Sequence, residues 1–177
     1  EGHTEGLIAL SAGRDGAITA SLLSGDMKAA RATGKYYVNL FGKENFWVEL
    51  NHHHLHNDKE LIEQHVQLAK QLGVGYAATN NVYFAEAEGY GLQNVLTAIK
   101  NNSTLEDTRH LRLPSREHYL KCNREVEALF KDYPQAISNT QVIADQCQFE
   151  LLHGIQELPE YPLPAGVTAI EYIRQLC

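Results

Sequence analysis

Four histidines fall within five positions, His52, His53, His54 and His56, directly after an alternating apolar–polar stretch. Neutral imidazole is the commonest protein ligand for transition metals. A metal held there could turn bound water into a nucleophile and neutralise charge growing on a phosphate. The same residues read equally well as loop histidines after a strand, able to catch a divalent ion without any function. A second stretch with chemical potential is Gly13-Arg14-Asp15-Gly16. Asp15 could ligate a metal and Arg14 could contact a phosphate. The more ordinary role of an Asp there is to cap or turn the chain before a helix, and that role is favoured. Gly89 and Gly91 make no phosphate loop, because no Gly-Lys-Ser/Thr follows. Ser11, Ser21 and Ser103 lack motif context, and no Ser-His-Asp or Cys-His arrangement emerges from the spacing.

Cysteine usage and charge narrow the function classes. Cys122, Cys147 and Cys177 are odd in number, far apart and without a CxxC pair, which fits reduced thiols better than a disulfide framework or a zinc site. Cys122 and Cys147 are expected as small hydrophobes on helices. The formal net charge is -7, which argues against strong DNA binding by this chain alone, since duplex affinity comes mostly from Lys and Arg on phosphates. Arg109, Arg112 and Arg116 could form one small patch giving weak, salt-sensitive contact. Trp47 and the pair Tyr36-Tyr37 read as core or interface aromatics rather than base-stacking platforms. At 44% hydrophobic and 21% charged, the composition is that of a globular protein. No apolar run approaches a membrane span and no charged-then-apolar leader opens the chain, so a cytoplasmic protein without membrane contact is expected.

The elements that must position these residues alternate at first. Residues 7–11 read as a short buried strand, 45–50 as an alternating strand and 74–79 as another buried strand. Helical patterns cover 16–23, 26–40, 58–72 and 86–100. The third of these places Leu61, Ile62, Val66, Leu68, Ala69 and Leu72 on one face and ends at Gly73, where a C′ glycine is expected. This β-α-β-α order predicts parallel strands in an α/β layer or barrel. After residue 101 a polar connector leads into helical segments at 115–121, 125–130 and 134–147. In the last, Ala136, Thr140, Ile143 and Cys147 line one side, with Ile137 and Ala144 beside them. Three prolines in LPEYPLPAG impose an extended stretch before a final helix over 168–176. An opening in an apolar strand and a close in mid-helix are what an internal piece of a longer polypeptide would show.

Six stretches taken together resemble one family. They are EGLIALSA (5–12), FGKENFWVELNHH (41–53), GYAATNNVYF (75–84), NVLTAIKNNSTLED (94–107), the helix 133–147, and LPEYPLPAGVTAIEYIRQLC (158–177). In this order they are similar to the alpha subunit of bacterial DNA polymerase III and its error-prone relatives, over nearly the whole chain. The resemblance implies the C-terminal part of a PHP domain at 1–100, then a mainly helical region and proline-containing connector towards the polymerase core at 101–177. The implied fold is α/β: a partial, distorted β/α barrel followed by the helical connector.

The PHP resemblance also implies a cluster of His, Asp, Glu and Cys metal ligands in complete family members. Three of the family's ligand positions can be placed here. His53 falls on one and is a candidate relic metal ligand. Asn81 and Tyr83 fall where the family supplies an aspartate and a histidine. A neutral amide is a poor substitute for a carboxylate on a hard cation, and a tyrosine ligates only as phenolate. The expectation is a catalytically degenerate scaffold segment of a DNA-directed DNA polymerase, with no catalytic residue and no cofactor in this chain. The parent polymerase would use Mg²⁺, bind DNA through its other domains and partner proofreading or accessory polymerase subunits. The alternative is a metal-dependent phosphoesterase or 3′–5′ proofreading exonuclease.

Overall fold

The computed structural model describes residues 3–149 and 161–177. Three parallel strands form one sheet in the order β1 (Ala9–Leu10), β2 (Phe46–Asn51) and β3 (Gly75–Thr79). The register sets Ala9 beside Phe46, and Trp47 beside Gly75 through to Asn51 beside Thr79. Helices α1 (Ala17–Leu23) and α2 (Met27–Phe41) connect β1 to β2, and α3 (Asp58–Leu72) connects β2 to β3. The fold is therefore mixed α/β, with the parallel strands that the alternating order predicts.

Side chains alternate across a strand, so β2 presents Phe46, Val48 and Leu50 to one side and Trp47, Glu49 and Asn51 to the other. The first set is buried in the main core with Ile18, Leu22, Leu61, Ile62, Val66 and Leu68. Each such side chain contributes about 1.5–3 kcal/mol when fully buried. α3 starts and ends where its apolar spacing indicates, and Gly73 closes it in the left-handed conformation at φ 69°. α2 starts at Asp26, whose side chain accepts a hydrogen bond from the Ala29 N–H at 2.8 Å. On the opposite face of the sheet the Trp47 indole lies against Gly75, where a Cβ would fall 2.1 Å from its ring.

Beyond β3 come α4 (Tyr90–Lys100), α5 (Asn123–Leu129) and α6 (Pro134–Gln146). α6 packs on β3, and Asn139 Nδ2 donates to the Tyr76 carbonyl at 2.8 Å. These elements lie in one compact unit with the sheet, ending at Cys147. Residues 148–177 form a second unit. Within it, Thr168 caps α7 (Ala169–Leu176) in a capping box: its hydroxyl accepts from the Glu171 N–H, and Glu171 Oε2 accepts from the Thr168 N–H at 2.9 Å. Among the described residues no helix is long and apolar enough to cross a membrane.

Several local expectations differ from the structure. Residues 115–121 are not helical. They run as a strap in which Tyr119 forms a parallel bridge with Phe84. The Tyr83 N–H donates to the His118 carbonyl at 2.8 Å, and the Leu120 N–H to the Phe84 carbonyl at 3.1 Å. These non-local backbone bonds satisfy groups that a helix would have satisfied locally. β1 is two residues long instead of five, and Leu7 and Leu10 stay exposed, because β1 has only β2 as a partner among the described strands. Cys122 and Cys147 are exposed at helix ends, as the N-cap of α5 and the C-cap of α6, and not buried as small hydrophobes. On α6 the buried side carries Ala136 with Ile137 and Asn139, while Thr140, Ala144 and Cys147 face outward. Part of the expected extended proline stretch, 158–160, lies outside the described residues. Residues 161–164 have no regular structure and lead into a turn at Ala165-Gly166.

Candidate functional site at the strand ends

In parallel sheets, ligands bind outside the carboxyl ends of the strands. Here those ends bring together the turn after β1 (Gly13–Asp15), residues 51–58 after β2 and residues 79–83 after β3. The β1 turn approaches β2 so closely that a Cβ on Gly13, at φ 48°, would fall 1.9 Å from Asn51 Oδ1. Only glycine fits.

The four clustered histidines divide. His52 and His53 are buried, while His54 and His56 face outward. His53 is 2% exposed. Its backbone N–H donates to Asp58 Oδ2 at 2.7 Å, and its Nε2 lies 3.0 Å from the Asn80 carbonyl. A carbonyl only accepts, so Nε2 is the donor of this contact. The ring stacks on His118 with centroids 4.0 Å apart.

Asp58 is the hub of the site. As the first residue of α3 its side chain is only 3% exposed. Oδ2 accepts the N–H groups of His53 and Leu55, and Oδ1 accepts Nη1 of Arg14 at 2.9 Å. Arg14 Nη2 in turn reaches Asn57 Oδ1 at 3.0 Å. Arg14 thus pairs with a carboxylate, and Asp15 lies beside it in the short 3-10 turn, not at a helix cap. The space enclosed by Gly13, Arg14, Glu49, Asn51, Asp58 and His65 is about 10 Å³, the size of one water.

Asn81 and Tyr83 contribute backbone more than side chain. Asn81 sits at φ 45°, and its carbonyl accepts from His118 Nδ1 at 3.2 Å. Tyr83 is half exposed, with the edge of its ring on His118. His118 Nε2 is buried with no hydrogen-bond partner. Burial, and next the neighbouring His53, push the His118 pKa down, so the ring is held neutral. His65 lies deeper: Nδ1 donates to the Leu61 carbonyl at 2.7 Å, and the Thr19 hydroxyl lies between Nε2 and the Gly13 carbonyl. Burial lowers its pKa too. On the face of the sheet opposite the main core, Thr79 donates to Glu49, and Asn51 Nδ2 donates to Thr79 Oγ1 at 2.7 Å.

Among the described residues no three His, Cys, Asp or Glu side chains converge on a common point within metal-ligand reach. The donors nearest the strand ends are committed to one another: both oxygens of Asp58, Nε2 of His53 and the carbonyl of Asn81 are in hydrogen bonds. As assembled, this set does not fit a metal cage.

Comparison with known proteins finds relatives of this sequence. A PHP domain model matches residues 1–53, which takes in β1, β2 and the strand end at His53. The chain is 35% identical over 172 residues to the DNA polymerase III subunit alpha of Pseudomonas fluorescens, covering 97% of this chain and 15% of the relative. The corresponding protein of Pseudomonas aeruginosa is 36% identical over 170 residues, covering 96% and 14%. That of Treponema pallidum is 33% identical over 175 residues, covering 98% and 15%. Its homologues are DNA polymerase III alpha subunits. The chain spans about 15% of the length of the curated relatives it matches.

The candidate site lies inside the stretch shared with DNA polymerase III alpha subunits. His53 is the last residue that the PHP domain model covers, and Asn81, Tyr83 and His118 lie beyond it. Two participants were not legible beforehand. Asp58 reads from sequence only as a helix start, although an acidic residue in a first turn is a ready hydrogen-bond acceptor. His118 stands in a polar stretch with no signal pointing to burial. The three arginines near the connector do not pool their charge: Arg109 pairs with Glu106, Arg112 donates to the Leu105 carbonyl, and Arg116 lies over the Tyr90 ring at 5.7 Å.

Proposed function

We propose that this chain is a PHP scaffold segment of a DNA polymerase III alpha subunit, without phosphoesterase chemistry of its own. The observation that carries the reading is the Arg14–Asp58 pair at 2.9 Å. A guanidinium held on the one buried carboxylate of the site supplies the positive charge that a metal would otherwise supply. Two further features support it. Asn81 offers an amide where a hard cation needs a carboxylate, and Tyr83 offers a half-exposed phenol.

In this reading, template-directed addition of deoxynucleotides is carried out by regions of the parent polymerase outside this chain, with Mg²⁺ as their cofactor. DNA is held by those other domains, and proofreading or accessory polymerase subunits are the partners, in the cytoplasm. The role of this segment is mechanical: a packed α/β layer that supports the polymerase core.

The test is incubation of the purified chain with single-stranded and mismatched primer DNA plus Mn²⁺, Zn²⁺ or Mg²⁺. No cleavage above the metal-free control is expected. Metal-dependent turnover that His53→Ala abolishes would establish the alternative, a PHP phosphoesterase or 3′–5′ exonuclease with His53 as a ligand.

A further inference from the structure

Asn80 is where the loop after β3 meets both the strap at 115–121 and His53. Its backbone carbonyl accepts from His53 Nε2 at 3.0 Å. Its side-chain amide donates the other way, to the Glu117 carbonyl at 3.0 Å and to the Tyr119 carbonyl. Those two carbonyls flank His118, whose ring stacks on His53 and whose Nδ1 donates to the Asn81 carbonyl. One residue thus ties the strap to the loop, and the loop to the ring on which the strap rests.

The strap is held differently from the rest of its unit. No side chain between Thr79 and Glu125 joins the main core. Within the strap the buried side chains are His118 and Lys121, both polar. Its ties to the loop are hydrogen bonds: the Asn80 amide, the Tyr83 N–H on the His118 carbonyl and the Leu120 N–H on the Phe84 carbonyl. The Tyr119 hydroxyl, which donates to Glu125 at 2.6 Å, anchors it to α5 and not to the sheet. A segment with peripheral hydrogen bonds and little apolar burial opens at a lower free energy than the core it borders. Closure also carries two costs. His118 Nε2 is buried without a hydrogen-bond partner, and Asn81 is held at φ 45°. Opening relieves both.

We propose that residues 115–121 are a latch closed by the Asn80 amide, which opens as a unit while the sheet stays folded and whose closure holds the His53 ring at the strand end. With the latch open, His53 loses its stacked partner and the strand end gains the space that His118 fills. The inference goes beyond the scaffold reading and stands whether or not the strand ends have chemistry.

Hydrogen exchange followed by NMR tests this, first in the unaltered chain. The amides of Tyr83 and Leu120 should share one opening with a small urea dependence. They should be roughly 10-fold or more less protected than Val66 and Leu68 in α3, which open only with the whole unit. Asn80→Ala keeps the backbone carbonyl that His53 uses and removes the two bonds to the strap. Exchange at Tyr83 and Leu120 should then speed up by roughly 10-fold, as for the loss of two ordinary hydrogen bonds, with Val66 and Leu68 unchanged. The ring N–H of His53, followed by saturation transfer from water, should speed up by a similar factor although its own acceptor is still present. The proposal is overturned if Tyr83 and Leu120 exchange only together with α3 in the unaltered chain. It is equally overturned if Asn80→Ala leaves the His53 ring N–H rate unchanged. A variant that speeds Val66 as much as Tyr83, or that fails to fold, also overturns it, because strap and sheet would then be one cooperative unit.

Discussion

Arg14 donates from Nη1 to Oδ1 of Asp58 across 2.9 Å, joining the turn after β1 to the first residue of α3. Of the two side chains, Asp58 is 3% exposed and Arg14 27%. Removing one member of a buried pair leaves the other charge uncompensated. Asp58→Ala, which also strips acceptors from the His53 and Leu55 N–H groups, should cost about 3–5 kcal/mol. Arg14→Met should cost less, about 1–2 kcal/mol, because Asp58 keeps the N–H donors of His53 and Leu55. Urea unfolding measures both. An Arg14→Met cost indistinguishable from zero would demote the pair to an ordinary surface contact.

The buried histidines set an acid limit. His65, His118 and His52 all have their pKa lowered, in each case chiefly by burial. The folded state therefore disfavours the protonated form, and below the ordinary histidine value near 6.5 the unfolded chain binds more protons. Stability is fully present above that value and falls as pH drops through it towards the lowered folded values. The urea midpoint should be flat between pH 7 and 8 and decline from about pH 6.5 downwards. A midpoint that rises on acidification would contradict the neutral, buried state of these rings.

Asn139 adds a side-chain hydrogen bond to the packing of α6 on β3. Its amide donates to the Tyr76 carbonyl at 2.8 Å. Asn139→Ala removes that donor, so a partly buried carbonyl loses its partner. A loss of about 1–2 kcal/mol is expected in urea unfolding. Gln141→Ala, two residues further on and exposed, should change stability by less than about 0.5 kcal/mol and serves as the comparison.

The chain alone should not hold DNA. Its net charge of -7 repels a polyanion, and its three connector arginines are occupied separately. At about 0.15 M salt the screening length is roughly 8 Å, too short for scattered cations to act together. Fluorescence anisotropy with labelled primer-template should show no saturable binding. Tight binding at that salt would reveal a recognition surface on this segment.

Much of the fold was legible because its signals are local. The apolar spacing of Leu61 to Leu72, with Gly73 after it, delimits α3 at both ends, since a helix face and an αL cap are written within a few residues. The alternation around Trp47 and Glu49 marks β2 in the same way. The strap at 115–121 was not legible. Its conformation rests on hydrogen bonds to residues 80–84, more than thirty positions away in sequence, and no local pattern encodes those partners. The outward turn of Thr140 and Cys147 on α6 has the same origin, because the sheet position that α6 covers selects which stripe is buried.

The candidate site divides along the same line. Residue types alone determined that position 81 carries an amide and position 83 a phenol, and hence that neither can act as the carboxylate or imidazole of a metal set. They also determined the net charge of -7, on which the prediction about DNA rests. Only the tertiary structure decided that Arg14 meets Asp58, that His53 stacks on His118 and that the Asn80 carbonyl claims Nε2 of His53. Each of those contacts joins separate strand ends or loops. Parallel strands need long crossovers, so residues that share a site lie tens of positions apart in sequence. Their pairing is set by sheet register and helix packing, which no single stretch of chain specifies.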